Sequence, residues 1–245
     1  MQIAEALVNR GDVVVDVGAH SGLWTARMLS LVGRRGRVYA FEPLPEYANR
    51  LTMIGRAFPR RLLVHSAGAS DVSGSAVLHV PTVNAERILG IASLERRGDE
   101  AESTSTADLS VPTVTLDEVL AGAGRVDLIK CDVEGHEDRV FDGATALLRK
   151  HRPAVLVELE ARHRSQSLDN AFARFAELGF VGFGIYPDGL RPVAQFDLER
   201  DQLRSSPPDA AGSMPSGYIN DFLFIDANTR LLRLLSPWLL ARSVQ

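Results

Sequence analysis

Residues 13–22 constrain this chain most. Val13-Val14-Val15-Asp16-Val17 is a β-branched run with an acid inside it, and Gly18-Ala19-His20-Ser21-Gly22 is a turn of small residues. Leu23, Trp24, Ala26, Arg27, Met28, Leu29 and Leu31 follow at helical spacing with one apolar face. Strand, glycine turn and helix open a nucleotide-binding α/β unit. Gly18 and Gly22 allow close backbone approach to a ligand, and the free N–H groups of a helix start favour a carboxylate or phosphate. A dinucleotide fingerprint needs G-x-G-x-x-G. This chain has Gly18-x-x-x-Gly22, with His20 where a middle glycine would stand. With Asp16 at the strand end, the turn suits a ligand carrying an amino acid end and a positive charge better than a pyrophosphate. S-adenosylmethionine is such a ligand.

The next segments repeat the pattern. Arg37–Phe41 reads as a strand ending at Glu42-Pro43, Pro45 starts a helix, and Leu62–His65 reads as a third strand closing near Ser70-Asp71. Alternating β and α elements form a parallel sheet with right-handed crossovers. The rhythm then breaks. Ser75–Val80 and Val111–Thr115 read as an inserted hairpin within residues 72–115, around a polar, acidic loop from Arg96 to Asp108. Thr115 opens a capping box with Glu118. Val126–Cys131 is the fourth strand, and one helix is expected from Val140 through Leu148. Ala154–Val157 is the fifth strand, and Ser167 is expected to cap a helix ending at Gly179. Phe180–Ile185 and Asp221–Ile225 read as a final strand pair. Residues 200–217 read as a lid or loop, and 230–245 as a leucine–arginine tail that packs on the domain or on a second copy. With no repeat and no linker, residues 1–245 are expected to form one domain.

Ligands bind at the carboxyl ends of parallel strands. Asp16, Glu42, Asp71, Asp132, Glu134 and Glu158 all stand at or near such ends. Glu42 lies about 20 residues past Gly22, the spacing at which an acid grips ribose hydroxyls. Ser70 and Asp71 follow the third strand, where an adenine would lie. Asp132-x-Glu134-x-His136 is expected to extend so that alternate side chains face one pocket. That set suits acid/base work on a substrate hydroxyl, or a divalent cation completed by Glu158. His65, His79, His151 and His163 read as surface or core histidines, and Cys131 as a buried strand residue.

A formal charge of -4 over 245 residues points away from nucleic acid, and no apolar run reaches a membrane span. The single cysteine and the absence of a signal-peptide pattern lead to an expectation of a cytoplasmic protein, with neither nucleic acid nor membrane as a partner.

Five strings carry a resemblance: Asp16-Val-Gly-Ala-His-Ser-Gly22, Val38-Tyr-Ala-Phe-Glu-Pro43, Ala69-Ser-Asp71, Val114-Thr-Leu-Asp117, and Asp127-Leu-Ile-Lys-Cys-Asp-Val-Glu-Gly-His-Glu137. With Asn220-Asp-Phe-Leu-Phe224, the chain resembles the FkbM-type S-adenosylmethionine-dependent methyltransferases. The resemblance implies a Rossmann-like class I methyltransferase fold: a mostly parallel seven-stranded sheet with an antiparallel last strand and an inserted hairpin. It implies O-methylation of a hydroxyl on a small molecule, a natural product or sugar moiety, with S-adenosylmethionine as cofactor and no metal required. The expected cofactor residues are Asp16, Gly18, Ala19, His20, Ser21, Gly22, Glu42, Pro43, Ser70, Asp71 and Asp132. The expected catalytic residues are His136, Glu134, Glu158 and Asn220, with His136 the first candidate base. Family members often carry asparagine where His20 stands and more chain before the first strand, so a substrate-gating element is expected to be reduced or absent. Two other classes share the fold: an NAD-dependent oxidoreductase and a non-catalytic cofactor-binding module.

Overall fold

A computed structural model describes residues 2–83, 86–87, 89, 92–95, 105–164, 166–204, 217–228 and 235. Helix α1 (Gln2–Leu7) precedes strand β1 (Val13–Val17), helix α2 (Leu23–Val32), strand β2 (Arg37–Phe41), helix α3 (Pro45–Ala57) and strand β3 (Leu62–His65). Strands β4 (Gly68–Ala69), β5 (Gly74–Val83), β6 (Glu86–Arg87) and β7 (Ser105–Val114) form a second sheet. Helix α4 (Leu116–Val119), strand β8 (Leu128–Cys131), helices α5 (Glu137–Asp142) and α6 (Thr145–His151), and strand β9 (Ala154–Glu158) follow. Helix α7 (Leu168–Glu177) and strands β10 (Phe180–Tyr186), β11 (Gly189–Pro192) and β12 (Asp221–Asp226) complete the order.

The main sheet runs β11-β10-β12-β9-β8-β1-β2-β3. Strands β3, β2, β1, β8 and β9 are parallel, while β12 inserts antiparallel between β9 and β10. The sheet has eight strands where seven were expected, because Gly189–Pro192 folds back on β10 as an edge hairpin. Strands β1 and β8 have both faces covered and read as unbroken apolar runs apart from Asp16 and Lys130. One face packs a core containing Val15, Ile129, Val155, Phe175 and Phe224. The other face packs Val14, Met28, Val38, Leu128 and Leu156. No described helix is long and apolar enough to cross a membrane.

The inserted hairpin is longer than its sequence suggested. Strands β5 and β7 pair from Gly74↔Thr113 to Thr82↔Ser105, so residues 105–108 are strand rather than loop. A small separate core of Leu44, Leu78, Val80 and Val111 holds this sheet against the start of α3. The expected helix from Val140 to Leu148 is broken into α5 and α6 at Gly143. A Cβ there would lie 2.0 Å from the Ser70 carbonyl oxygen, so the chain must approach by bare backbone. Thr115 caps α4 as expected, its Oγ1 accepting from the Glu118 N–H at 3.1 Å. Ser167 stands at the start of α7 but makes no side-chain cap bond. Residues 96–104 of the expected polar loop, 205–216 of the expected lid or loop, and the tail apart from Leu235 lie outside the described residues.

Candidate active site

Register brings the acids to one rim. Val17 pairs with Phe41 and with Cys131, Cys131 pairs with Val157, and Asp221 pairs with Glu158. The residues that follow, Gly18, Glu42, Asp132 and Glu158, therefore line up at the carboxyl edge of the parallel strands, where α/β sheets bind ligands. A cavity of about 270 Å³ opens there. Gly18, Ala19, His20, Ser21, Glu42, Pro43, Lys130, Asp132, Glu134 and His136 border it, and Leu44, Leu78, Leu89 and Leu94 supply an apolar side.

The glycine turn is built for close approach. Gly18 has φ +73°, and a Cβ on it would lie 1.8 Å from the Asp132 carbonyl oxygen. Gly22 has φ +85° and begins α2 against Leu51. Glu42 is 4% exposed at the cavity wall. Its Oε2 accepts the His20 backbone N–H at 2.7 Å and its Oε1 accepts that of Leu44 at 2.9 Å. Burial raises its pKa, opposed by those two N–H groups. His20, at φ +48°, has its ring centred 4.1 Å from that of Tyr47 and tilted 49° to it, and its buried Nε2 has no protein partner among the described residues.

Asp16 does not border the cavity, contrary to expectation. It is fully buried, accepts from Thr25 Oγ1 at 2.5 Å, and lies 3.7 Å from Lys130 Nζ. Lys130 Nζ also donates to the Gly18 carbonyl at 3.1 Å and lies 3.3 Å from Asp132. Burial works against the lysine's charge, but Asp132 and Asp16 outweigh it, so its pKa is raised. Lys130 was not singled out from sequence. The signal was present: a charge inside the apolar strand Leu128-Ile129-Lys130-Cys131 must be paired.

The Asp132–His136 segment reaches the cavity by a turn rather than an extended strand. Glu134 has φ +57° and Gly135 φ +103°, and a Cβ on Gly135 would lie 2.1 Å from the His163 carbonyl oxygen. His136 has both ring nitrogens engaged: Nδ1 meets Glu95 Oε1 at 2.8 Å and Nε2 meets Ser70 Oγ at 2.9 Å. Burial lowers its pKa, against the pull of Glu95. It is therefore poorly placed to act as a base. It ties the inserted segment to the rim, as does Ser93 Oγ, which donates to the Glu134 carbonyl at 2.7 Å. Ser70 and Asp71 lie in a neighbouring hollow with His136 and Arg139 rather than on the main cavity. Asp71 pairs with Arg139 at 2.7 Å.

Glu158 and Asn220 stand beside the cavity without lining it. Asn220 Nδ2 donates to Glu158 Oε1 at 2.6 Å and to Glu160 Oε1 at 3.0 Å. Burial, then the charge of Asp132 and the neighbouring carboxylates, pushes Glu158 well above the usual carboxylate range. Glu160 is also penalised by burial, yet Arg162 and His163 hold it below that range. Burial and the neighbouring acids thus favour the neutral form of Glu158, while the adjacent cations favour the charged form of Glu160. His163, read from sequence as bland, places Nδ1 3.0 Å from Glu134 Oε2 and Nε2 3.8 Å from Glu160 Oε2.

The rim, the glycine cradle and a buried acid with both oxygens fixed by backbone N–H groups fit a sulfonium nucleoside. Fold and cavity together define the class: a Rossmann-like α/β sheet of the class I methyltransferase type, with a nucleoside-sized cradle at its carboxyl edge. The chain belongs to the FkbM methyltransferase family, whose domain, described as "Methyltransferase FkbM domain", matches residues 16–181. It is 29% identical over 153 residues to the hexuronic acid methyltransferase AglP of Haloferax volcanii, covering 61% of this chain and 56% of that protein. The chain thus spans about half the length of that curated relative. A shorter match, 46% over 48 residues, covers 20% of this chain and 23% of a protein-L-isoaspartate O-methyltransferase from Ignicoccus hospitalis. In fold it resembles the FkbM methyltransferase of Methylobacillus flagellatus KT, with TM-score 0.55 and 17% identity, over 87% of this chain and 43% of that one.

Proposed function

We propose that this protein methylates a hydroxyl of a small, polyhydroxylated molecule, a sugar or natural-product moiety, in the cytoplasm. The observation that carries this reading is Glu134, a carboxylate on the cavity wall beside Asp132, with the His163 ring nitrogen 3.0 Å from its Oε2. The sugar class is supported by the name of the Haloferax volcanii relative, a hexuronic acid methyltransferase.

When bound, S-adenosylmethionine supplies a methyl group made electrophilic by its sulfonium. The 18–21 turn, Glu42 and Asp132 would hold it. Gly18 lets the backbone close in, and Glu42 keeps lone pairs beyond its two N–H contacts for hydroxyl recognition. An alcohol is a poor nucleophile, so a positioned base is worth about 10²–10⁴ in rate. Glu134 takes the acceptor's proton at its carboxylate, and the His163 ring fixes that carboxylate's orientation. Burial favours the neutral form of Glu158, and Asn220 Nδ2, donating to both Glu158 and Glu160, holds the two carboxyls together. The apolar wall of Leu44, Leu78 and Leu94 excludes water from the methyl path.

The test incubates the protein with isotopically labelled S-adenosylmethionine and a panel of sugars, uronic acids and polyketide alcohols, and reads methyl gain by mass spectrometry. Label on a hydroxyl oxygen supports the reading, and label only on a carboxylate or nitrogen overturns it. Donor binding with no turnover on any acceptor would mark a non-catalytic module, and tight NAD binding a different enzyme.

A further inference from the structure

The net charge of -4 conceals a segregation. Acids gather at the carboxyl edge of the sheet, while the opposite edge is arginine-rich. The C-terminal ends of α2 and α3 meet there the starts of β2 and β3. Arg34, Arg35, Arg37, Arg56 and Arg60 are exposed in this region, and none of their side chains has an ion pair or hydrogen bond with a described residue. Between Gly33 and Arg61 the acids are Glu42, at the far end of β2, and Glu46, in the first turn of α3. The nearest acid across this edge, Asp12, is buried and already paired with Arg125, so the arginine side chains repel one another with little counter-charge between them.

Two hollows adjoin on this face. One, of about 460 Å³, is walled by Arg34, Arg35, Arg37, Arg60 and Arg61. The other, of about 280 Å³, runs between α2 and α3 along Leu29, Leu51, Ile54 and Leu62. Arg34, Phe58 and Arg61 border both. Arg61 Nη2 donates to the Leu29 carbonyl at 2.8 Å, while its buried Nε has no hydrogen-bond partner among the described residues. Around them, Met53 is 68%, Ile54 41% and Phe58 36% exposed. Apolar side chains interleaved with unpaired arginines fit an interface that is anionic outside and hydrocarbon within.

We propose that this face docks on an anionic lipid bilayer. Headgroup phosphates occupy the arginine hollow, and Met53, Ile54 and Phe58 enter the acyl boundary. The catalytic rim, at the other end of the same strands, then faces away from the membrane. Charge complementarity favours phosphate, and the apolar side chains favour lipid over nucleic acid, which offers no hydrocarbon phase. Docking does not depend on which acceptor is methylated.

The test is co-sedimentation of the full chain with vesicles of phosphatidylglycerol mixed with phosphatidylcholine, against phosphatidylcholine alone. Binding to the anionic vesicles only, weakened by salt, is expected. The triple variant Arg34→Glu, Arg35→Glu, Arg60→Glu should lower partitioning by about a hundredfold. Met53→Gln, at a largely exposed site, should lower it without changing the charge at the groove. Calorimetry with S-adenosylhomocysteine checks that each variant still folds, because the donor cavity lies at the opposite edge. Absence of binding to anionic vesicles overturns the proposal, as does full binding by both variants. Tight binding to duplex DNA that equals vesicle binding and ignores Met53→Gln also overturns it, in favour of a polyanion surface.

Discussion

Lys130 Nζ lies 3.7 Å from Asp16 Oδ1 across the β8–β1 register that places the two residues side by side. Both side chains are buried, so neither charge has water to fall back on. Removing one partner of such a pair costs about 3–5 kcal/mol, because it strands the other. Lys130→Met is expected to lower unfolding stability by that amount in urea titrations. The double variant Asp16→Asn, Lys130→Met should recover much of the loss. Equal loss in both variants would show that the lysine packs rather than pairs.

Glu42 is fixed through both oxygens by the N–H groups of His20 and Leu44. Glu42→Gln turns one acceptor into a donor that faces a backbone N–H. Hydrogen bonds to charged groups are worth about 1.5–3 kcal/mol. Calorimetric affinity for S-adenosylhomocysteine should therefore fall by about ten- to a hundredfold. Affinity within twofold of the parent would remove Glu42 from donor recognition.

Glu134 and His136 make opposite kinetic predictions although two residues apart. Glu134→Gln should reduce kcat by about 10²–10⁴ with donor affinity little changed. His136→Gln should instead raise the KM for the donor, because the ring ties Glu95 and Ser70 to the rim. The converse pattern, a kcat collapse in His136→Gln alone, would restore the imidazole as base.

The pH dependence of stability follows from the same ring. Burial lowers the pKa of His136 from its ordinary 6.5, so the unfolded chain takes up a proton before the folded one does. Its contribution is full above pH 6.5 and is lost as pH falls toward the lower folded value. The melting-temperature gap between the parent and His136→Gln should narrow as pH drops through that window. A gap independent of pH would mean that the ring is not held neutral.

The strand–turn–helix opening, the acids at strand ends and the hairpin insertion were all legible in the sequence. Each rests on local rules: β-branched runs, glycine turns and period-two alternation. What stayed hidden depends on contacts between distant segments. The break at Gly143 is imposed by the Ser70 backbone, 73 positions away in the chain, and no helix-breaking residue other than that glycine marks it. The engagement of both His136 nitrogens needs Glu95 and Ser70, which local spacing cannot bring together. Asp16 reads as a ligand acid from its position in the motif, yet its partner Thr25 sits on the covering helix and draws it inward. His163 becomes a rim residue because Gly135 lets the two turns touch.

The small core of Leu44, Leu78, Val80 and Val111 gives the second sheet its own cohesion, apart from the two cores of the main sheet. The cover over the cavity and the floor beneath it can therefore lose protection from hydrogen exchange at different denaturant concentrations. A nucleoside wedged between them touches both, and its occupancy would weld two partly independent cooperative units into one. The methyl donor would then act as mortar for the fold, so the empty and loaded proteins should differ most in how the cover melts.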